Sequence, residues 1–286
     1  MGLSPYQCLL SLFQWHNETL NFWTHWLTLL FYIQFFCTQQ VNVHDSRYWP
    51  LISVAIGACS FPFFSCFAHT FGCMTVSVRH FCFFCDYAGI SIYSIGSSVA
   101  FHSYSISCDL RGTFIEKLFI PLNMIMAVGS CVVCCMSRDK KWTSVRCAMC
   151  SLAFSTPYLF YGVLLAHRLS TEDFSPSFWF HYWQFFWTFA FAVTKSAKIP
   201  ERLKPKMFDI IGHSHQWFHV FVFIATYHQV KAVILDLQKL QATQSLAEFS
   251  FISTVGAVIV VIVSDAFVVV YFSYRVLKNS QLKKIS

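Results

Sequence analysis

The chain has 286 residues, of which 56% are apolar, 19% aromatic and only 12% charged, with a mean hydropathy of +0.53. Soluble domains carry about 25% charged residues, so this composition excludes an ordinary water-soluble protein. The formal charge of +7 has to be read by position before it suggests any acidic partner.

In chain order, eight stretches approach or exceed the ~20 mostly apolar residues that a spanning helix needs. They are residues 22–39, 49–70, 81–103, 118–136, 145–166, 178–198, 213–235 and 249–274, the first being the shortest. Backbone groups in hydrocarbon must pair within the protein, which leaves helices or a closed barrel, and continuous apolar runs without period-two alternation exclude the barrel. The expected fold is all-α: a polytopic transmembrane helical bundle, read as a single membrane domain over residues 1–286. Short connections leave no room for a separate soluble domain. The first 21 residues lack Lys and Arg, so no cleavable signal peptide is expected and the first span itself directs insertion.

Fourteen of the 20 Lys and Arg residues fall on one side of this topology. They are Arg79, a cluster from Arg138 to Arg146, a second from Lys195 to Lys206, and the C-terminal tail. The other side holds Arg47, Arg111, Lys117, Arg168, Lys231 and Lys239. The richer side is expected to be cytosolic, which puts both termini inside. Orientation and contact with anionic lipid account for these charges, and no nucleic-acid role is expected. The 13 cysteines include the pairs Cys82/Cys85, Cys131/Cys134 and Cys147/Cys150. On a helix, i and i+3 cysteines have no turn with which to wrap an ion, so they read as small packing residues rather than zinc or redox pairs.

Ionisable groups inside a bilayer are functional suspects, and here several share one depth. The second span ends SCFAH, bringing Ser65 and His69 to the inner face one turn apart. The third begins RHFCFFCDYAGI, placing Asp86 just inside on the same side, and the seventh opens GHSHQWFHV with His215 and His219. Residues i and i+4 lie on one helix face about 6 Å apart along the axis, a spacing that lets two imidazoles share one ion. His69 would add a third nitrogen and leave a fourth position for water, as in catalytic zinc sites. Asp86 could then orient that water or take its proton, and Ser65 could donate to a substrate carbonyl. The bland alternative is that boundary histidines snorkel or cap. His213 reads as a helix-start or solvent residue, His228 as a packing or rim residue, and Asp265 as an acid that pairs within the bundle. The Asn17-Glu18-Thr19 sequon is expected on the cytosolic side and unused. Pro62 and Pro157 should kink their spans and open space for a lipid-like ligand.

NETLNFWTH (Asn17 to His25), SCFAH, RHFCFFCDYAGI, IPERLKPKMFDIIGHSHQWFHV (Ile199 to Val220) and AVILD (Ala232 to Asp236) together resemble the progestin and adipoQ receptor family. Its membrane progestin receptor branch is the most similar part, in the gamma, delta and epsilon forms. The resemblance implies a seven-helix zinc-containing core plus an eighth transmembrane helix, with Zn2+ on His69, His215 and His219 beside Ser65 and Asp86. It implies a plasma-membrane receptor for a progestin or related steroid that signals rapidly through heterotrimeric G proteins. Adiponectin receptors of the family are similar to ceramidases, so a zinc-dependent hydrolase of ceramide-like lipid amides is the alternative, with Asp86 and Ser65 as its catalytic groups. Three departures stand out. Relatives carry a cytosolic segment of several tens of residues before the first motif, with a Gly-Tyr-Arg signature. Lys204 to Met207 replaces a proline-glycine-arginine, and Lys231 stands where an acid is expected.

Overall fold

The structure, a computed structural model, describes residues 2–39, 41–142, 145–172 and 174–285. Nine α-helices appear among them: α1 (Pro5–Ser11), α2 (Thr19–Cys37), α3 (Trp49–Phe71), α4 (Val76–Tyr104), α5 (Phe114–Met136), α6 (Arg146–Thr171), α7 (Pro176–Ala197), α8 (Ser214–Ala242) and α9 (Ala257–Ile285). A π-helical turn, Ile252–Gly256, leads into the last. No strand occurs among the described residues, and the eight long helices, α2 to α9, overlie the eight expected spans. Five segments are both long and apolar enough to cross a membrane: Ser46–Phe71, Phe114–Met136, Ala148–Thr171, Ser214–Ala242 and Ile252–Gln281. Helices α4, α8 and α9 run past the expected limits because helical hydrogen bonding continues through polar turns that hydropathy alone does not count.

Local chemistry sets the ends. Thr75 accepts from the Val78 amide to start α4, and Thr113 does the same for Glu116 at the start of α5. Pro176 occupies the first turn of α7, where its missing N–H leaves nothing unpaired. Lys198, at φ 53°, closes that helix in the left-handed conformation. Besides Pro62 and Pro157, Pro121 lies inside a helix, a position the sequence reading did not single out.

Helices α2 to α8 form a closed ring in which each touches its chain neighbours and α8 returns to α2, while α9 packs outside against α4 and α5. The tightest seam is between α3 and α4, and glycine makes it possible. A Cβ on Gly57 would lie 2.7 Å from the Tyr93 Cα, one on Gly89 would lie 3.1 Å from the Phe61 Cα, and one on Gly96 would fall on the Ser53 carbonyl oxygen. Small residues at such seams let backbones meet where lipid supplies no hydrophobic drive for helix association. This contact sets Ser65 and His69 of α3 beside the start of α4.

The half of the bundle farther from the chain's N-terminus is tied by charge. Arg168 of α6 donates to both oxygens of Asp236 on α8, at 2.7 and 3.0 Å, and all but 3% and 1% of the two residues is buried. Glu172 takes the remaining Arg168 Nε–H at 3.1 Å. Tyr161 of α6 bonds His181 Nδ1 of α7 at 2.6 Å. Removing one partner of a buried pair typically costs about 3–5 kcal/mol because the other charge is stranded. This network therefore holds α6 to α8, while α6 and α7 meet through long side chains, Tyr158 and Tyr161 against Phe185 and Tyr158 against Thr188. Asp265 is buried beside Ser91 and Cys131, and among the described residues no cation forms an ion pair with it.

The described cysteines are free and most are buried or half-buried, in keeping with their reading as packing residues. The Cys147 side chain lies outside the described residues.

The α3–α4 seam yields a prediction with opposite signs at two glycines. Gly96→Ala should lower the melting temperature of the detergent-purified protein, since overpacking costs about 1–3 kcal/mol. Gly129 faces open space on α5, and Gly129→Ala should raise it through helix propensity worth up to about 1 kcal/mol. Equal shifts of the same sign would refute the close-contact account.

Candidate metal centre

The N-terminus of α8 is fixed by side chains that come before and within it. Gly212, at φ +83°, turns the chain. Gln216 accepts from the Gly212 amide at 2.6 Å and donates to the Ile210 carbonyl at 2.7 Å. Glu201 accepts from the Ser214 amide at 2.7 Å and from the Ser214 hydroxyl, placing a carboxylate where the helix dipole and unpaired amides favour it. With the first turn locked, His215 and His219 project into the ring.

There they meet His69 from the end of α3. Ring centroids are 4.4 Å apart for His215 and His219, and 5.2 Å from His69 to each of them. One ligand nitrogen from each of the three falls within 4.8 Å of the other two. Zinc–nitrogen bonds of ~2.0–2.1 Å at tetrahedral angles bring such atoms to about 3.3 Å, a distance that modest ring rotations reach. His69 and His219 are buried and His215 is half-buried.

The surrounding hydrogen bonds set the tautomers. His69 donates from Nδ1 to Glu18 at 2.7 Å, leaving its Nε2 buried with no partner. Thr24 commits its one hydroxyl proton to the backbone carbonyls of Leu20 and Asn21. Its oxygen therefore accepts from His219 Nδ1 at 3.0 Å, and the His219 lone pair is on Nε2. Outer partners of this kind orient metal-binding imidazoles and raise their basicity. His215 is held differently. Its Nδ1 receives the Lys195 ammonium at 2.6 Å, and a ring that accepts at Nδ1 carries its proton on Nε2. An ion on His215 thus requires Lys195 to give up that lone pair. The donor set, the unpartnered His69 nitrogen and two preset tautomers fit a zinc-like cation.

Asp86, on α4, is half-buried and within electrostatic range of Ser65, His69 and Lys195. All five residues singled out by sequence thus gather at one end of the ring. His213 caps α8 and contacts the Asn17 carbonyl at 3.3 Å, and His228 bonds its own helix at Ile224, so neither joins the cluster.

Sequence reasoning gave His25, Thr24, Glu18, Lys195 and Glu201 no role at this site. His25 of α2 is 3% exposed, its ring centroid lies 3.8 Å from that of His219, and its Nδ1 has no partner. The signal was available, since His25 is an ionisable residue inside an expected span and closes the NETLNFWTH motif. A cleft of about 440 Å³, bounded by Asn17, Glu18, Asn21, Glu201, Asp209 and His213 among others, opens onto His215. Partial burial works against ionisation of Glu18. The hydrogen bonds from His69 and Asn21 outweigh it and hold its carboxyl down at about 2. Burial likewise opposes the Glu201 charge, and the two Ser214 bonds overcome it, leaving that carboxyl below its ordinary 4.5.

Comparison with known proteins agrees with the motif reading. The family profile described as haemolysin-III related matches residues 13–230. The chain is 35% identical to human membrane progestin receptor gamma over 295 residues, covering 97% of this chain and 88% of that protein. It is 34% identical to zebrafish membrane progestin receptor gamma-A (99% and 90%) and 31% to mouse membrane progestin receptor delta (96% and 84%).

Glu201 gives a pH prediction. Its folded pKa lies below the unfolded value, so its stabilisation is complete above about pH 4.5 and fades as pH falls below that. Glu201→Gln should cost about 1 kcal/mol at neutral pH, and its melting temperature should drop less than the parent's between pH 6 and pH 4. Parallel pH curves would remove Glu201 from the cap.

Proposed function

Because the chain belongs to the haemolysin-III-related family, we propose that it is a plasma-membrane receptor for a progestin, with a resident zinc ion on His69, His215 and His219. The observation that carries this reading is the extent of the likeness to membrane progestin receptors, about one third identity over nearly the whole chain. A progestin is almost wholly apolar with a few carbonyl or hydroxyl groups, which suits a bundle rich in aromatic side chains and sparing of polar anchors.

His69 and His219 would take the ion with their Nε2 lone pairs, and His215 would complete the set once Lys195 withdraws. When bound, the ion would clamp α3 to α8 and polarise any oxygen in its open position. Glu18 and Thr24 orient the rings, and the Asp86 carboxyl stands beside them. The basic loops on the expected cytosolic side, with both termini there, would report a shift in helix packing to a heterotrimeric G protein.

A second reading rests on one specific observation, the approach of Asp86 and Ser65 to His69. In a zinc-dependent hydrolase of ceramide-like amides, Asp86 would accept the proton of the attacking water and Ser65 would donate to the amide carbonyl. Progesterone has no amide, so the two readings separate experimentally.

Two measurements decide. Elemental analysis of the purified protein should find about one zinc per chain, falling below a tenth of that in His219→Ala; an empty parent removes the metal. Membranes carrying the parent should bind radiolabelled progesterone saturably and leave fluorescent ceramide intact. Ceramide turnover that His219→Ala and Asp86→Asn abolish would instead establish the hydrolase.

A further inference from the structure

Three arginines converge where α4, α5 and α6 reach the end of the bundle that holds the histidine cluster. Arg79 is in the first turn of α4, Arg138 directly follows the close of α5 at Ser137, and Arg146 opens α6. One aromatic ring gathers the first two: the guanidinium carbon of Arg138 lies 4.2 Å from the Phe83 ring centroid, and that of Arg79 lies 6.0 Å from it. Arg146 donates from Nε to the Ser137 carbonyl at 2.8 Å, which fixes it beside Arg138. The half-buried His80 ring is within electrostatic range of all three.

Like charges held together repel, and no carboxylate of the chain neutralises these. Among the described residues the ion-paired arginines are Arg47, Arg111 and Arg168, and none of the three belongs to them. Asp139, next to Arg138, is exposed and accepts only the Lys141 amide, at 3.4 Å. Asp86 is within electrostatic range of Arg138 but stands with Ser65 and His69. Arg138 Nε is buried with no hydrogen-bond partner, and so is His80 Nδ1. A guanidinium packed on an aromatic ring keeps its in-plane N–H fork for a planar or phosphate acceptor. The cluster is thus built for an anion that the chain does not supply.

Depth and charge identify the anion. The apolar segment of α5 ends at Met136 and that of α6 begins at Ala148, so Arg138 and Arg146 each stand ~3 Å of helix rise past the hydrocarbon edge, at the level of lipid phosphates. Basic pockets between spanning helices on the cytoplasmic side receive anionic headgroups, and arginine grips phosphate through paired N–H···O bonds. Phosphatidylserine brings a net charge of only about −1, whereas a phosphomonoester adds about −1.5 to −2 at neutral pH, so a diester together with a monoester balances three guanidiniums. We propose that Arg79, Arg138 and Arg146 form a binding site for an inositol phospholipid whose headgroup carries a phosphomonoester. The site is independent of the steroid and zinc readings. It lies on the face expected to be cytosolic.

The detergent-purified full-length protein is titrated, with native mass spectrometry as the readout, with short-chain phosphatidylinositol 4-phosphate, phosphatidylinositol and phosphatidylserine, and with free inositol 1,4-bisphosphate. Arg79→Gln and Arg138→Gln are compared with the parent, with Arg138→Lys, which keeps the charge but loses the fork, and with the double variant Lys204→Gln/Lys206→Gln, which removes two charges from another loop on the same side. Elution as a single species with a parental melting temperature in the absence of lipid checks folding. The phosphorylated lipid is expected to bind about tenfold or more tighter than the other two lipids and the free headgroup. Each arginine variant should weaken it about fivefold or more, Arg138→Lys included, and the Lys204/Lys206 variant should bind like the parent. Equal binding of phosphatidylserine, parental affinity in the arginine variants, or the same loss in the lysine variant overturns the site in favour of diffuse surface charge. A free headgroup that binds as tightly as the lipid overturns the membrane source and leaves a site for a soluble phosphate ester.

Discussion

Burying a charged group in hydrocarbon is costly unless a partner or a polar cavity receives it, and the architecture of this protein follows from how that cost is met. Most of its ionisable residues lie in loops or tails. The few that enter the bundle gather mainly in two places. One is the inner histidine cluster with Glu18, Lys195 and Asp86, and the other is the network of Arg168, Asp236, Glu172 and His181. Apolar packing between them is generic, but these contacts admit few alternatives and so fix which helices stand side by side.

Helix α8 connects the two. Its first turn presents His215 and His219, and about six turns later Asp236 receives Arg168. The glycine seam between α3 and α4 carries His69 and Asp86 into the same end. A rearrangement at the histidines that shifts α8 along or about its axis is thus felt at the Arg168–Asp236 pair, because a bidentate ion pair tolerates little displacement.

The inner cluster is also close to water. The polar cleft over His215 is bounded by three carboxylates, Glu18, Glu201 and Asp209, so the cluster is polar on one side and aromatic on the other. Such a boundary serves either a structural ion that clamps helices or a hydrolytic centre, which is why histidine geometry alone does not choose between them.

Much of this was legible in the chain. The apolar runs gave eight helices at their observed places, because only internally paired backbone survives in hydrocarbon. Loop charge parity brought Ser65, His69, Asp86, His215 and His219 to one depth, and i, i+4 spacing put two of them on one face. What the sequence could not decide was direction around each helix axis. Whether His25 faces His219, whether Lys195 reaches His215 or joins the other loop cations, and whether Arg168 finds Asp236 all depend on how the ring closes. Those contacts link residues far apart in the chain, and their energies are set by inter-helix distance and burial, quantities that local pattern does not encode. Depth along the membrane normal was thus written in the sequence, while azimuth, and with it the partners of every buried charge, was decided by tertiary packing.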